Sequence, residues 1–128
     1  MLHEMNRQVI SQMVQNGVDC IEMQIPFSEP MADGPVILKA NQDSLALGTS
    51  VAACIAFGAE MCQEHDIPFL FMTYYNIIFK YGEERFFKEC QSAGIKGLII
   101  PDLPPEMGKE FLRLAINYQV APILIFAP

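Results

Sequence analysis

Basic residues are scarce in this sequence. Its 128 residues include 8 lysines and arginines against 15 aspartates and glutamates, which gives a formal net charge of -7. The few cations are scattered along the chain, whereas proteins that bind nucleic acid cluster them to neutralise phosphates. The composition therefore argues against nucleic acid as a partner.

Long apolar runs are also missing. No stretch reaches the roughly 18 consecutive apolar residues that indicate a membrane span, and residues 1–7 lack the apolar core of a secretory signal. Hydrophobic residues nevertheless make up 52% of the chain, a content that argues against disorder. We expect one folded, cytoplasmic domain.

Motifs of metal and nucleotide sites are absent as well. The sequence has two histidines, no CxxC pair, and none of the patterns GxGxxG, GxxxxGK[ST], GxSxG or HExxH. Each cysteine lies in an apolar stretch, so we expect reduced, buried, structural thiols and no metal site. The four are Cys20, Cys54, Cys62 and Cys90. What remains is acid/base chemistry on carboxylates without a cofactor.

The hydrophobic pattern predicts helices and strands in alternation. Apolar positions at helical spacing place Met5, Val9, Ile10, Met13 and Val14 on one face of the first helix. The predicted helices are Leu2–Asn16, Val36–Leu47, Ser50–Glu64, Tyr75–Tyr81, Glu83–Ala93 and Pro105–Tyr118. The predicted strands are Val18–Ile25, Pro68–Thr73, Lys96–Ile100 and Ala121–Phe126. This order indicates a parallel sheet, either open or closed into a barrel.

A weak internal repeat favours the barrel. A helix-stopping glycine, a strand and a proline recur from Gly17 to Pro26 and from Gly94 to Pro101, and more loosely from Tyr118 to Pro128. Repeated helix-plus-strand units build a (β/α) barrel, which has eight strands and about 250 residues. The four strands predict an α/β fold, a partial TIM (β/α)8 barrel that spans residues 1–128 as a single domain truncated at both ends.

One strand carries a carboxylate among apolar residues. Because side chains alternate along a strand, Glu22 should point away from Ile21 and Met23, into the barrel and largely out of contact with water. A carboxylate in that place suits general acid/base catalysis. The alternative is a glutamate on an edge strand that faces solvent.

Other polar and aromatic side chains follow the predicted strands. Asp33, before Gly34-Pro35, is either the N-cap of a helix or a second carboxylate at the carboxyl ends of the strands, where barrel enzymes hold their active sites. Asp102 has the same two interpretations, with a turn in place of the cap. Met72, Tyr74 and Ile125 lie at strand ends and suit either a flat aromatic ligand or core packing.

A long motif links these residues to a known family. Residues 21–35 read I-E-M-Q-I-P-F-S-E-P-M-A-D-G-P, which closely resembles the signature of the tryptophan synthase alpha chain family. There, a glutamate in an apolar strand is followed by P-F-S-(D/E)-P, an apolar residue, A and D-G-P. The resemblance continues in the expected order through residues 37–41, 74–79, 99–104 and 121–128.

The resemblance implies a cytoplasmic carbon–carbon lyase of tryptophan biosynthesis. Such an enzyme cleaves indole-3-glycerol phosphate by a retro-aldol reaction to indole and glyceraldehyde 3-phosphate. Glu22 matches the family's acid/base and Asp33 the carboxylate that stabilises positive charge at the indole nitrogen. Positions matching Met72, Tyr74 and Ile125 line the indole pocket.

The resemblance also implies a partner. Pro26 and Glu29 match the loop that contacts the tryptophan synthase beta chain in a heterotetramer. No cofactor is expected on this chain, because the pyridoxal phosphate of the complex belongs to the beta chain.

Two departures from the family pattern qualify these expectations. Gln24 replaces a usual glycine and should share the inward face of Glu22, altering activity or substrate fit. The family's phosphate-binding loops lie outside this sequence, so we expect the isolated 128 residues to be almost inactive. Two alternatives stay open: a truncated, non-catalytic remnant that binds the beta chain, and a half-barrel that associates with itself through its open sheet edges.

Overall fold

The fold is a four-stranded parallel sheet with helices on one side. It is taken from a computed structural model, which describes residues 2–26 and 50–125. In chain order the elements are α1 (Leu2–Gln15), β1 (Ile21–Gln24), α2 (Val51–Glu64), β2 (Phe69–Met72), α3 (Tyr75–Tyr81), α4 (Glu83–Ala93), β3 (Gly97–Ile100), a 3-10 turn (Pro105–Met107), α5 (Gly108–Asn117) and β4 (Ala121–Leu124). The predicted helix Val36–Leu47 lies outside the described residues.

The strands pair in sequence order, β1-β2-β3-β4, and every pairing is parallel. The connections that the structure describes pass through helices, as parallel neighbours require. The predicted alternation is confirmed, and α3 and α4 have the bounds that the sequence predicts. The predicted helix Pro105–Tyr118 is instead a 3-10 turn followed by α5.

Register and side-chain alternation divide the sheet into two faces. The covered face carries Ile21, Met23, Phe69, Phe71, Leu98 and Ile100, all of which belong to or pack against the main apolar core. The open face carries Glu22, Gln24, Leu70, Met72, Gly97, Ile99, Ala121 and Ile123. Helix α2 lies directly on the covered face, since a Cβ on Gly58 would be 2.9 Å from Cζ of Phe71 and 3.5 Å from Cε of Met23.

The repeat seen in the sequence has a backbone basis. Residues 17, 94 and 119 follow α1, α4 and α5, and each has a positive φ, of 88°, 89° and 58°. Two are glycines, which adopt this conformation without steric penalty, whereas Gln119 adopts it with a side chain. A residue in the left-handed conformation thus turns the chain from helix to strand at three places.

Helix α1 buries only part of the apolar face that the sequence predicts. Ile10 is buried and Val14 packs against the core, whereas Met5, Val9 and Met13 are exposed. The described elements cover one side of α1 only, so the apolar residues on its other side remain at the surface. Among the described helices, none is long and apolar enough to cross a membrane.

Candidate active site

The open face of the sheet holds the candidate site. Its register forms two rows of side chains across the strands. The lower row is Glu22, Leu70, Gly97 and Ala121, and the upper row is Gln24, Met72, Ile99 and Ile123. The upper row is nearer the carboxyl ends of the strands, where (β/α) barrels bind substrates. One carboxylate, that of Glu22, therefore lies below a mostly apolar row of side chains. We call this upper row, formed by Gln24, Met72, Ile99 and Ile123, the apolar shelf.

Glu22 points to the predicted face, but in this chain it is exposed, as in the alternative of a glutamate on an edge strand that faces solvent. Its neighbours Ile21 and Ile25 are buried, at 4% and 1% exposure, whereas Glu22 itself is exposed. The helices of the described residues pack on the opposite face of the sheet, and this leaves the side chain of Glu22 open to solvent.

Beyond β2, the lower row contains only two small residues, Gly97 and Ala121. A Cβ on Gly97 would lie 2.8 Å from Cδ2 of Leu70 and 3.3 Å from Cδ1 of Ile123. These two side chains therefore close over Gly97 and form a continuous apolar surface beside Glu22. Sequence reasoning did not identify Gly97, although a glycine inside an apolar strand is a sign of close approach.

The predicted aromatic-pocket residues divide into two groups. Met72 is half-buried in the upper row, next to Gln24, and Ile125 follows β4 with 53% of its surface exposed. Tyr74 is 1% exposed and forms the N-cap position of α3. The structure thus places Met72 on the face that carries Glu22, leaves Ile125 exposed beyond the strand at the opposite edge of the sheet, and buries Tyr74.

The second predicted carboxylate and most of the predicted partner loop belong to residues that the structure does not describe. Asp33 and Glu29 lie outside the described residues, while Pro26 is half-buried directly after Ile25. Their roles remain predictions.

Asp102 has a definite structural role. Its Oδ1 accepts a hydrogen bond from the backbone N–H of Tyr75, at 2.8 Å. Tyr75 is the first residue of α3, and its N-cap, Tyr74, makes no side-chain capping bond. The carboxylate at the end of β3 therefore caps the helix that follows β2, which is a contact that neither sequence interpretation of Asp102 included.

The four cysteines are unpaired, and one of them departs from expectation. Cys90 is buried and Cys54 and Cys62 are half-buried, but Cys20 is exposed because it precedes β1 on the side of Glu22. Burial raises the pKa of Cys54 to about 11 and that of Cys90 to about 12, which disfavours both as nucleophiles. Within residues 2–26 and 50–125, no group of three His, Cys, Asp or Glu could hold a metal ion.

Comparisons with known proteins agree on one family. The family model of the tryptophan synthase alpha chain matches residues 2–128. The alpha chain of Desulfotalea psychrophila is 73% identical over 123 residues, which are 96% of this chain and 48% of that protein. That of Syntrophotalea carbinolica is 55% identical over 121 residues, 94% of this chain and 48% of that protein. This chain spans about half the length of these curated relatives.

Solved structures give the same answer. Tryptophan synthase from M. tuberculosis matches with a TM-score of 0.84 and 32% identity over 90% of this chain and 46% of that one. The tryptophan synthase A-subunit from Pyrococcus furiosus matches with a TM-score of 0.85 and 30% identity over 90% of this chain and 47% of that one. The four strands and their helices are therefore part of a (β/α)8 barrel, and the chain belongs to the tryptophan synthase alpha chain family.

Proposed function

We propose that this chain supplies the catalytic carboxylates of a lyase that cleaves indole-3-glycerol phosphate into indole and glyceraldehyde 3-phosphate. The observation that carries the proposal is the position of Glu22, the one carboxylate in the two described rows of the open face, beside an apolar shelf. Membership of the tryptophan synthase alpha chain family supports the same reaction.

The chemistry needs an acid/base and a stabilising negative charge. The protonated carboxyl of Glu22 donates its proton to the indole ring at the carbon that carries the glycerol chain, which places positive charge on the ring nitrogen and leaves Glu22 as a carboxylate. Glu22 then removes the proton of the adjacent hydroxyl. The carbon–carbon bond breaks, its electron pair returns to the ring, and the hydroxyl carbon becomes the aldehyde. Asp33 offsets the charge on the ring nitrogen.

The shelf suits the aromatic half of this substrate. Met72 is apolar and lies on the open face in the strand next to that of Glu22, so a flat ring can bury surface against it while Glu22 meets the polar chain. The resemblance adds Ile125, which is exposed directly after β4. The resemblance adds Tyr74 to this pocket. In the conformation observed, Tyr74 is buried, at 1% exposure.

We further propose that Pro26 and Glu29 belong to the surface that binds a tryptophan synthase beta chain. Proton transfer between carboxylates and substrate requires no prosthetic group on this chain. The pyridoxal phosphate belongs to the beta chain, which takes up the indole.

A chimera tests the proposal. This chain replaces the matching segment of the Desulfotalea psychrophila alpha chain, and indole release from indole-3-glycerol phosphate is measured with and without beta chain. We expect turnover, and a loss of about 100-fold to 10,000-fold in Glu22→Gln, the range typical of a general acid/base. Asp19→Asn, which alters an exposed carboxylate just before the same strand, is the matched control and should retain activity.

The same assay separates the alternatives. A folded chimera that releases no indole contradicts the proposed reaction. If it still alters the activity of added beta chain, the non-catalytic binding role explains the sequence better. Equal losses in Glu22→Gln and Asp19→Asn would remove Glu22 from the reaction.

A further inference from the structure

A side chain joins the loops that follow β2 and β3. Backbone pairing between these strands continues as far as the N–H of Thr73, which donates to the carbonyl of Ile99 at 3.1 Å. Beyond that point, the N–H of Tyr75 donates to Oδ1 of Asp102. Asp102 therefore extends the pairing of the sheet by one link, into the region where the candidate site opens.

We propose that Asp102 is a positioning residue: it fixes the start of α3, and with it the segment Tyr74–Asn76, at the mouth of the candidate site. Its carboxylate accepts the first free N–H of the helix, and negative charge at this end is favourable toward the helix dipole. The inference rests on the proposed function only where turnover is the readout.

Helix α3 depends on such a contact because it is short. It has 7 residues and an N-cap without a side-chain capping bond, and isolated helices below about 12 residues are marginal in water. At its other end, Gly82 donates its N–H to the carbonyls of Ile78 and Phe79. Asp102 supplies the N-terminal bond that the local sequence of α3 does not.

The loop that carries Asp102 is stiff enough to act as an anchor. Pro101, Pro104 and Pro105 restrict its backbone, and Leu103 packs against the apolar core. On the other side of the bond, Tyr75 is 7% exposed and Tyr74 is 1% exposed. Both partners are thus held by packing, and the bond sets the distance between two strand ends that flank the apolar shelf.

Three variants of Asp102 in the chimera test the proposal. Asp102→Asn keeps an oxygen that can accept the Tyr75 N–H, and asparagine caps helices about as well as aspartate. Asp102→Ala removes the acceptor, and Asp102→Glu keeps the charge but moves it by one methylene. If the position of the hydrogen-bond acceptor matters, the Asp102→Asn variant should retain kcat within about threefold. The Asp102→Ala and Asp102→Glu variants should lose about 10-fold or more in kcat.

Hydrogen exchange of the Tyr75 amide supplies a readout that is independent of turnover. We expect faster exchange in Asp102→Ala than in the parent, with Asp102→Asn close to the parent. Loss of kcat in the Asn variant equal to that in Ala would overturn the proposal, because the charge itself would then be required. Unchanged kcat and unchanged exchange in a folded Ala variant would overturn it as well.

The experiment still decides if one variant does not fold or if the parent chimera is inactive. If Asp102→Ala does not fold, the order of Asn and Glu decides: Asn above Glu supports positioning, and Glu above Asn contradicts it. If the parent chimera has no turnover, the proposed function fails, but exchange at Tyr75 still supports or overturns the anchoring role.

Discussion

At the scale of single residues, Thr73 is a buried polar side chain at the carboxyl end of β2. It is 0% exposed, and its hydroxyl has no hydrogen-bond partner among the described residues. An unsatisfied buried hydroxyl costs about 1–3 kcal/mol, so Thr73→Val, which keeps the shape, should raise the free energy of unfolding by about 1 kcal/mol. Thr73→Ser, which keeps the hydroxyl and loses a methyl, should lower it. Urea unfolding distinguishes the two, and a destabilised Val variant would indicate a hidden partner.

Gln24 lies in the upper row beside Met72 and two residues beyond Glu22. Its side chain therefore limits the room for a ring on the shelf. In the chimera, Gln24→Gly should raise kcat/KM for a substrate with an added ring methyl, relative to the parent substrate, by about 10-fold, the lower range for one methylene in an apolar pocket. Gln24→Leu keeps the volume and should leave that ratio unchanged. Equal ratios in Gly and Leu variants would show that Gln24 does not shape the pocket.

Tyr75 gives the chain a pH dependence above neutrality. Burial, and then the hydrogen bond that its hydroxyl donates to Glu83 at 2.5 Å, raises the pKa of Tyr75 to about 12. The unfolded chain loses this proton near pH 10, so the contribution is complete below about pH 10 and is lost as the pH rises toward about 12. We expect Tyr75→Phe to have a shallower alkaline loss of stability in urea unfolding. Glu83→Gln should change it less, because burial is the larger cause.

The sequence predicted the features of single residues that depend only on neighbours along the chain. The face of Glu22 follows from alternation along one strand, and the register confirms it. Its exposure, the burial of Tyr74 and the bond from Tyr75 to Asp102 depend on segments far apart in the chain. No pattern within either segment encodes such a contact.

At the scale of elements, Gly58 sets how closely α2 approaches the sheet. A Cβ there would meet Cζ of Phe71 at 2.9 Å and Cδ1 of Ile95 at 3.2 Å. Both side chains are buried, at 1% and 2% exposure, so neither can move aside easily. Although alanine is the better helix former by about 1 kcal/mol, we expect Gly58→Ala to destabilise the fold by about 1–3 kcal/mol.

Gly108 is the matched control. It begins α5 with φ -61° and ψ -39°, and a Cβ there would meet nothing within 4 Å. Gly108→Ala should therefore stabilise the protein by about 0.5 kcal/mol. Thermal unfolding of both variants should show opposite signs, and a stabilised Gly58→Ala variant would show that Phe71 and Ile95 move aside for the added methyl group.

Element boundaries followed from glycines and periodicity. Gly94, with its left-handed backbone, ends α4 where the sequence predicts, and Ser50 caps α2 through a bond from the N–H of Ala53 at 3.1 Å. The sequence did not reveal which side of α1 is buried, because Met5 and Val9 are apolar like Ile10 and yet are exposed. Which apolar stripe is buried depends on what packs against the helix, and this is information beyond its own sequence.

At the scale of the whole molecule, the parallel sheet was predictable because at least one helix separates each pair of successive strands. The sequence pattern did not reveal that the two faces differ so much. Within β2, Phe69 and Phe71 on the covered face are almost fully buried, whereas Leu70 and Met72 on the open face are half-buried, and at the edge strand β4 Ile123 is exposed at 36%. An apolar surface of this kind, next to a carboxylate, marks a binding or packing surface rather than an ordinary exterior.

That asymmetry predicts how the chain behaves with and without the rest of a barrel. The 128-residue chain should bind anilinonaphthalene sulfonate, a dye that fluoresces on apolar surfaces, and the chimera should bind much less because added strands cover the exposed side of β4. In the 128-residue chain, Ile123→Asn with Ile125→Asn should reduce the signal further than Leu112→Asn with Ile116→Asn, which alters exposed apolar residues of α5. Far-ultraviolet circular dichroism checks that each variant is folded. Equal dye binding by chain and chimera would mean that the open face is not what the added half covers, and would weaken the assignment of the site to that face.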